Sequence, residues 1–351
     1  MTENKVSTPA TVEVLDVTEA SSDLPAVSVD YTQLVEAWIT FTKKHSGVKS
    51  AQSERSYRNA IKQALNYFSE HGISVLSATD DDVYAWLEQL KTEKAASTVQ
   101  MYLVAVRLFF AFLAKEKIIA DNPCEGMKAG VKMKRDEHKR DYLSAAQIRA
   151  MLDKMPTDTE MGLRNRAIVT LMVTSGLRCC EVSEAQCGDM RTSGDSTYLS
   201  LRGKGYTDKE NTVKIEPNAE KFIREYWAMR FQGKSPKEKD FMFVSTSRNH
   251  AKLDKDDMLS TVSIRAIVKN ALKEIGINDS RHTAHSLRHS ACTLALKSGE
   301  KLESVKMAMR HARVETTLIY SHLIEREKNN CELAVGKMIF GDTKATKKKK
   351  I

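Results

Sequence analysis

The chain is poor in proline and glycine, with 6 and 15 residues among 351. Those counts exclude a collagen-like or proline-rich extended chain. No apolar run approaches the roughly 18–20 residues that a membrane helix needs. The longest candidate, Val104 to Ala114, is interrupted by Arg107. The sequence does not open on a basic stretch followed by an apolar one, so no secretory signal is expected. The cysteines, Cys124, Cys179, Cys180, Cys187, Cys292 and Cys331, lack a paired framework spacing. A small disulfide scaffold is thereby excluded, and reduced thiols in a cytoplasm are expected. His282, His285, His289 and Cys292 lie close in sequence, but no CxxC pair accompanies them. Structural zinc sites usually bring one, so neither a metal nor another cofactor is expected.

What is present is an ordinary globular composition, 41% hydrophobic and 29% charged. The length is too great for one core, so two domains are expected. The formal charge is +9, and it is unevenly placed. Residues 1–30 hold one lysine and six acids, whereas residues 142–351 hold 37 basic and 26 acidic groups. A basic body behind an acidic leader suits a polyanionic partner, with nucleic acid first, or is simply a solvated surface. The run Lys347 to Lys350 reads as a solvated tail.

Residues 1–29 lack amphipathic periodicity and read as a disordered leader. Four helical patterns follow within residues 30–120. Asp30 is placed to cap the first, from Tyr31 to about His45, with Leu34, Trp38 and Phe41 on one face. Ser53 starts the second, which Gly72 ends. Thr79 and Asp82 form a capping pair for the third, and Ser97 or Thr98 begins the fourth. Asn122-Pro123 breaks the pattern, and residues 121–141 read as a basic linker. A second domain is expected over residues 142–341, with a basic tail over 342–351. Ser144 caps its first helix, and Leu163 to Thr174 forms a buried helix ended by Gly176. Leu199 and Leu201, then Val213 and Ile215, alternate with polar residues around Gly203-Lys204-Gly205. That pattern is a β-hairpin with a lysine at its tip. The expected fold is mostly α: a four-helix domain, then a mainly helical α/β domain with a small antiparallel sheet.

Four places in the second domain bear on chemistry. Arg178 directly follows the helix-ending Gly176-Leu177, and Glu181 stands three residues on, the offset that holds a guanidinium across a helical turn. Alone, the pair reads first as a surface ion pair. Lys204 sits between two glycines that allow close approach of another surface. His285 and Arg288 share one face of a helix capped by Thr283, an arrangement that suits phosphate or is a satisfied polar face. His311 precedes Tyr320 by nine residues across a turn, with Thr316 or Thr317 starting the helix that carries the tyrosine.

Taken in order, Gly-Leu-Arg-x-x-Glu, Gly-Lys-Gly on a hairpin, His-x-Leu-Arg-His and His-x8-Tyr resemble the tyrosine recombinase (phage integrase) family over roughly residues 31–340. Met309-Arg310 stands where that family often has Leu-Gly, and Ala284 where proline is common. The resemblance implies a SAM-like core-binding domain over 30–120 and a catalytic domain over 142–341. It implies six active-site residues, Arg178, Lys204, His285, Arg288, His311 and Tyr320, supported by Glu181 and His289. Tyr320 would attack a scissile phosphate, forming a 3′-phosphotyrosyl intermediate, and strands would be exchanged through a Holliday junction for integration, excision or resolution. Arg178 and Arg288 would bind the non-bridging oxygens, with His311 as a further donor, and Lys204 would protonate the departing 5′-oxygen. His285 would either accept the tyrosine proton or hold a phosphate oxygen. The implied partners are double-stranded DNA at specific sites and a homotetramer in the synaptic complex, with room for accessory factors and no membrane. A bacterial or mobile-element protein acting in the cytoplasm is implied. Arg55, Arg58, Lys62 and Arg107 are candidate DNA contacts, or members of a solvated helix face. The apolar segment after Tyr320, including Val335, Met338, Ile339 and Phe340, would dock on a neighbouring protomer or pack on its own domain. Two other readings are a type IB topoisomerase, with much the same residues, and a non-catalytic DNA-binding regulator.

Overall fold

The computed structural model describes residues 31–45, 50–131, 141–202, 211–245, 258–328 and 331–340. The chain divides into two compact units, Met1–Met133 and Lys134–Ile351. Asp30 and Lys204 lie outside the described residues, as do the leader, the hairpin tip and the basic tail.

The first unit holds four helices, α1 (Thr32–His45), α2 (Ala51–Glu70), α3 (Asp80–Glu93) and α4 (Ala96–Lys115). The pair expected to start α3 is a full capping box, in which the Asp82 carboxylate accepts the Thr79 N–H at 2.8 Å. Three aspartates in its first turn complement the positive end of the helix dipole. Two starts differ from expectation. Ser50 rather than Ser53 caps α2, and the Ser53 N–H donates to the Ser50 hydroxyl at 3.1 Å. The fourth helix begins at Ala96 without a side-chain cap. Trp38, Phe68, Trp86, Phe109 and Phe110 fill the core, with the Trp38 and Phe109 rings edge to face at 5.5 Å. By length and composition α4 is apolar enough to cross a membrane, contrary to expectation. Its apolar residues, from Val99 to Leu113, instead make the centre of this core.

The stretch expected as a linker is packed in its first half. The Asn122 side chain accepts the Cys124 N–H at 2.9 Å, and Cys124, Met127 and Ala129 are buried against the four helices. Arg107 donates to the Met127 carbonyl and ties this segment to α4.

In the second unit α5 (Ala145–Asp153) starts at Ser144, which forms a capping box with Gln147. The central helix α6 (Glu160–Ser175) is buried on nearly all sides and ends at Gly176, whose φ of 59° is left-handed as expected. A short helix α7 (Cys179–Glu184) leads to a sheet of β1 (Met190–Ser193), β2 (Ser196–Leu201) and β3 (Asn211–Ile215) in the order β1-β2-β3. All pairing is antiparallel, and Leu199 faces Val213, so the expected hairpin is present. Helix α8 (Pro217–Arg230) packs on α6, and α9 (Thr261–Glu274) follows. Helices α10 (Ala284–Lys297), α11 (Leu302–Met309) and α12 (Glu315–Lys328) carry the remaining motifs. On α13 (Cys331–Phe340) the side chains of Met338 and Phe340 are 89% and 77% exposed, so they do not pack on their own unit.

Candidate active site

The site is assembled where four chain segments end or begin. Gly176 turns the chain out of α6 and leads to Arg178, which stands at the start of α7. Glu181, one turn along, accepts from Arg178 twice, from its backbone N–H at 2.7 Å and from its guanidinium at 2.7 Å. The expected three-residue offset thus produces a locked pair, with the carboxylate buried.

Arg288 projects from α10 and is itself buried. Its guanidinium donates to the Gly176 carbonyl at 2.6 Å and to the Met309 carbonyl. Those carbonyls lie at the C-terminal ends of α6 and α11, where unpaired carbonyls carry negative partial charge. Gly176 also permits a close approach, since a Cβ there would run into the Met309 side chain. Thr283 starts α10 as expected, its N–H donating to Ser286 Oγ at 3.0 Å. His285 stands exposed in the first turn, its ring edge to face with His289 at 4.6 Å.

Arg310 ends α11 in the left-handed region, at φ 54° and ψ 46°. For a residue with a Cβ this costs roughly 1–2 kcal/mol. The turn delivers His311, whose Nδ1 is 2.9 Å from the buried Thr317 hydroxyl of α12. Tyr320, one turn further, is 4% exposed. Its hydroxyl is hydrogen-bonded with His289 Nδ1, and its ring lies nearly parallel to that of His311, with centroids 6.4 Å apart.

The electrostatics are those of a buried cationic site. Burial, then Arg178 and Arg310, push Arg288 down to about 10. His311 falls to about 4 through burial and the charges of Arg288, Arg178 and Arg310, so it is neutral at pH 7. Burial alone would raise the Glu181 carboxyl, but Arg310 and Arg178 hold it below the usual range. Burial raises the Tyr320 hydroxyl, and Arg288 opposes that shift. Strongly perturbed groups of this kind cluster at functional sites and also in structural ion-pair networks.

Five of the six expected active-site residues are therefore described, with Glu181 touching Arg178 and His289 touching Tyr320 and His285. Sequence reading missed Arg310, noted there only as a departure at a usual glycine. Its guanidinium is bound to Glu181 at 2.9 Å and to the Gly176 carbonyl at 3.2 Å. Thr317 was also missed in its role as partner of His311. Of the metal-like cluster, His282 pairs with Asp279 at 2.9 Å, and Cys292 is buried beside Tyr320. Among the candidate DNA contacts, Arg55 and Lys62 stand exposed on α2. Arg58 is held by Glu36 at 2.8 Å and Glu54 at 2.9 Å, and Arg107 by the Met127 carbonyl. Those last two are engaged within their own unit.

Comparison with known proteins gives the family and the fold. The model of the phage integrase family matches residues 141–327, and that of the phage integrase N-terminal SAM-like domain matches residues 35–117. Tyrosine recombinase XerD of Rickettsia conorii is 27% identical over 285 residues, covering 78% of this chain and 89% of its own. XerD of Lacticaseibacillus casei is 29% identical over 272 residues, covering 76% and 86%. The XerH site-specific recombinase bound to palindromic difH substrate shares the fold with a TM-score of 0.68 at 17% identity, over 86% of this chain and 85% of that one. A lambda integrase dimer bound to a COC′ core site gives 0.57 at 16% identity, over 80% and 95%. With its two domains matched in order, the chain belongs to the phage integrase family, the tyrosine recombinases, enzymes that break and rejoin DNA strands.

Proposed function

We propose that this chain performs site-specific recombination through Tyr320 as nucleophile. The observation that carries the reading is the enclosure of one tyrosine hydroxyl beside His289 and His311, in a cluster whose cations exceed its carboxylates. Tyr320 attacks the scissile phosphorus, the 5′-oxygen leaves, and a 3′-phosphotyrosyl ester forms. The ester conserves the bond, so a free 5′-hydroxyl can reverse the step without ATP. The attacked phosphodiester gains charge on its non-bridging oxygens as the tyrosine adds. Arg178 and Arg288 bind those oxygens through guanidinium N–H groups beyond those that hold them to Glu181 and to the Gly176 carbonyl. Neutral His311 adds a donor in the tautomer that accepts from the Thr317 hydroxyl at Nδ1 and carries its proton on Nε2. Losing one such donor costs about 10²–10³ in rate, or roughly 3–4 kcal/mol. Lys204 protonates the leaving 5′-oxygen, and His285 either takes the tyrosine proton or holds a phosphate oxygen.

The buried, hydrogen-bonded tyrosine is a resting arrangement, so attack requires α12 to shift when DNA enters. We infer that both units grip duplex DNA, as the XerH and lambda integrase structures are bound to theirs. Four protomers would assemble on two sites and exchange strands through a Holliday junction, in the cytoplasm, with accessory factors where a site needs them. The exposed apolar face of α13, with Val335, Met338, Ile339 and Phe340, supports assembly between protomers and favours recombination over relaxation by a lone topoisomerase.

The test is to incubate the protein with fragmented genomic DNA, denature, and sequence what remains covalently bound. Recovery of a few discrete duplex sequences is the expected result. Random sequences would favour a topoisomerase, and no covalent DNA a binding regulator.

A further inference from the structure

We infer that Arg310 is a positioning residue of this site: its guanidinium joins the two phosphate-binding arginines into one frame and supplies the positive charge that the transition state draws on. The inference rests on the phosphoryl transfer proposed above.

Three observations carry it. First, Arg310 occupies a left-handed turn, φ 54°, that glycine would adopt without strain. The strain is offset by what the side chain binds. Second, that side chain is 7% exposed and fully engaged. It donates to the Glu181 carboxylate at 2.9 and 3.4 Å, to the Gly176 carbonyl at 3.2 Å and to the Ala308 carbonyl at 2.7 Å. Glu181 is the carboxylate that fixes Arg178, and Gly176 the carbonyl that holds Arg288 at 2.6 Å. The Arg310 carbonyl, in turn, accepts from Arg178 at 3.4 Å. Each arginine of the pair is thus bound to an acceptor that Arg310 also binds. Third, the charges count in its favour. With Lys204 assigned to the departing 5′-oxygen, Arg178, Arg288 and Arg310 bring three positive charges to the non-bridging oxygens, and Glu181 removes one. A phosphodiester brings one negative charge, and the five-coordinate transition state spreads a second. With Arg310 the transition state is matched, and without it the site balances only the ground state. Interactions stronger in the transition state are the ones that raise rate.

The experiment uses the full chain with Arg310→Gly, which relieves the turn, and Arg310→Gln, which removes charge while keeping length. Arg310→Lys keeps the charge. Duplexes come from the covalent recovery described above. Arg310→Gly and Arg310→Gln are expected to bind duplex within about threefold of wild type and to cleave it about 10²-fold more slowly, with Arg310→Lys between. A neutral methylphosphonate at the scissile position removes one charge and should restore most of the loss. Equal loss on phosphate and methylphosphonate, or an unchanged rate, would overturn the inference. A second readout needs no DNA: the His311 titration followed by NMR. His311 faces Arg288 and His285 of α10, Arg178 at the start of α7, Thr317 and Tyr320 of α12, and Arg310 on its own turn. Removing the Arg310 charge should raise its midpoint, and Arg310→Lys should not. If wild type forms no adduct, the proposed reaction fails by itself, and an unmoved His311 midpoint would separately refute the role of Arg310.

Discussion

The hydroxyl of Tyr320 is hydrogen-bonded with Nδ1 of His289, and the two rings lie 5.4 Å apart between α10 and α12. The bond satisfies a phenol that is otherwise buried. His289→Ala removes that bond, which costs about 1–3 kcal/mol. Urea unfolding of the variant should show that loss, and His289→Gln, which can still bond, should recover at least half of it.

The Gly176–Met309 contact joins two motifs far apart in sequence. Gly176→Ala is opposed twice, by φ 59° and by collision with Met309. A loss of about 2 kcal/mol or more is expected. Because Met309 carries a carbonyl that Arg288 uses, cleavage should fall further than stability explains. Met309→Ala in the same chain opens the space and should return part of the stability, measured by thermal unfolding.

The low midpoint of His311, about 4, fixes a sign for pH dependence. Between pH 4 and the ordinary histidine value of about 6.5, the unfolded chain binds a proton that the folded chain does not. His311 therefore makes stability fall as pH drops through that window and has no effect above it. His311→Asn should flatten this slope in unfolding measured from pH 7.5 to 4.5. An unchanged slope would remove His311 as its source.

Lys204→Ala should slow cleavage of an ordinary duplex by about 10²–10⁴-fold if Lys204 is the general acid. A 5′-thio leaving group needs no acid, so the variant should cut that substrate at the wild-type rate. Absence of rescue would assign the lysine another role.

Arg55 and Arg58 lie on the same helix but should behave differently. Arg55→Ala removes an exposed cation, and the slope of log affinity against log salt should fall by about one. Arg58→Ala breaks the ion pairs with Glu36 and Glu54 and should change the stability of the first unit more than its salt slope. Binding measured across salt concentrations separates the two.

Much of this was legible in sequence because it is local. Thr79 and Asp82 lie three residues apart, as do Arg178 and Glu181, and Gly176 ends a helix by its own conformational freedom. What was missed depends on distant partners or on weak patterns. Arg310 meets Glu181 across 129 residues of chain, so no periodicity reveals the pair. Strand β1, Met-Arg-Thr-Ser, is four residues long and has no apolar alternation to mark it. Cys124, Met127 and Ala129 carry no helical or strand spacing, yet they close the first core. Burial does not require a repeat, so the packing of that stretch left no pattern in the sequence.

The central claim is that Tyr320 becomes joined to DNA. A duplex from the covalent recovery, nicked beside the cut site so that the 5′-hydroxyl fragment is lost, should trap the intermediate. Digestion and mass spectrometry should then find a nucleotide on the peptide containing Tyr320 and none on Tyr320→Phe. A nucleotide on another residue, or an adduct that survives Tyr320→Phe, would contradict the account.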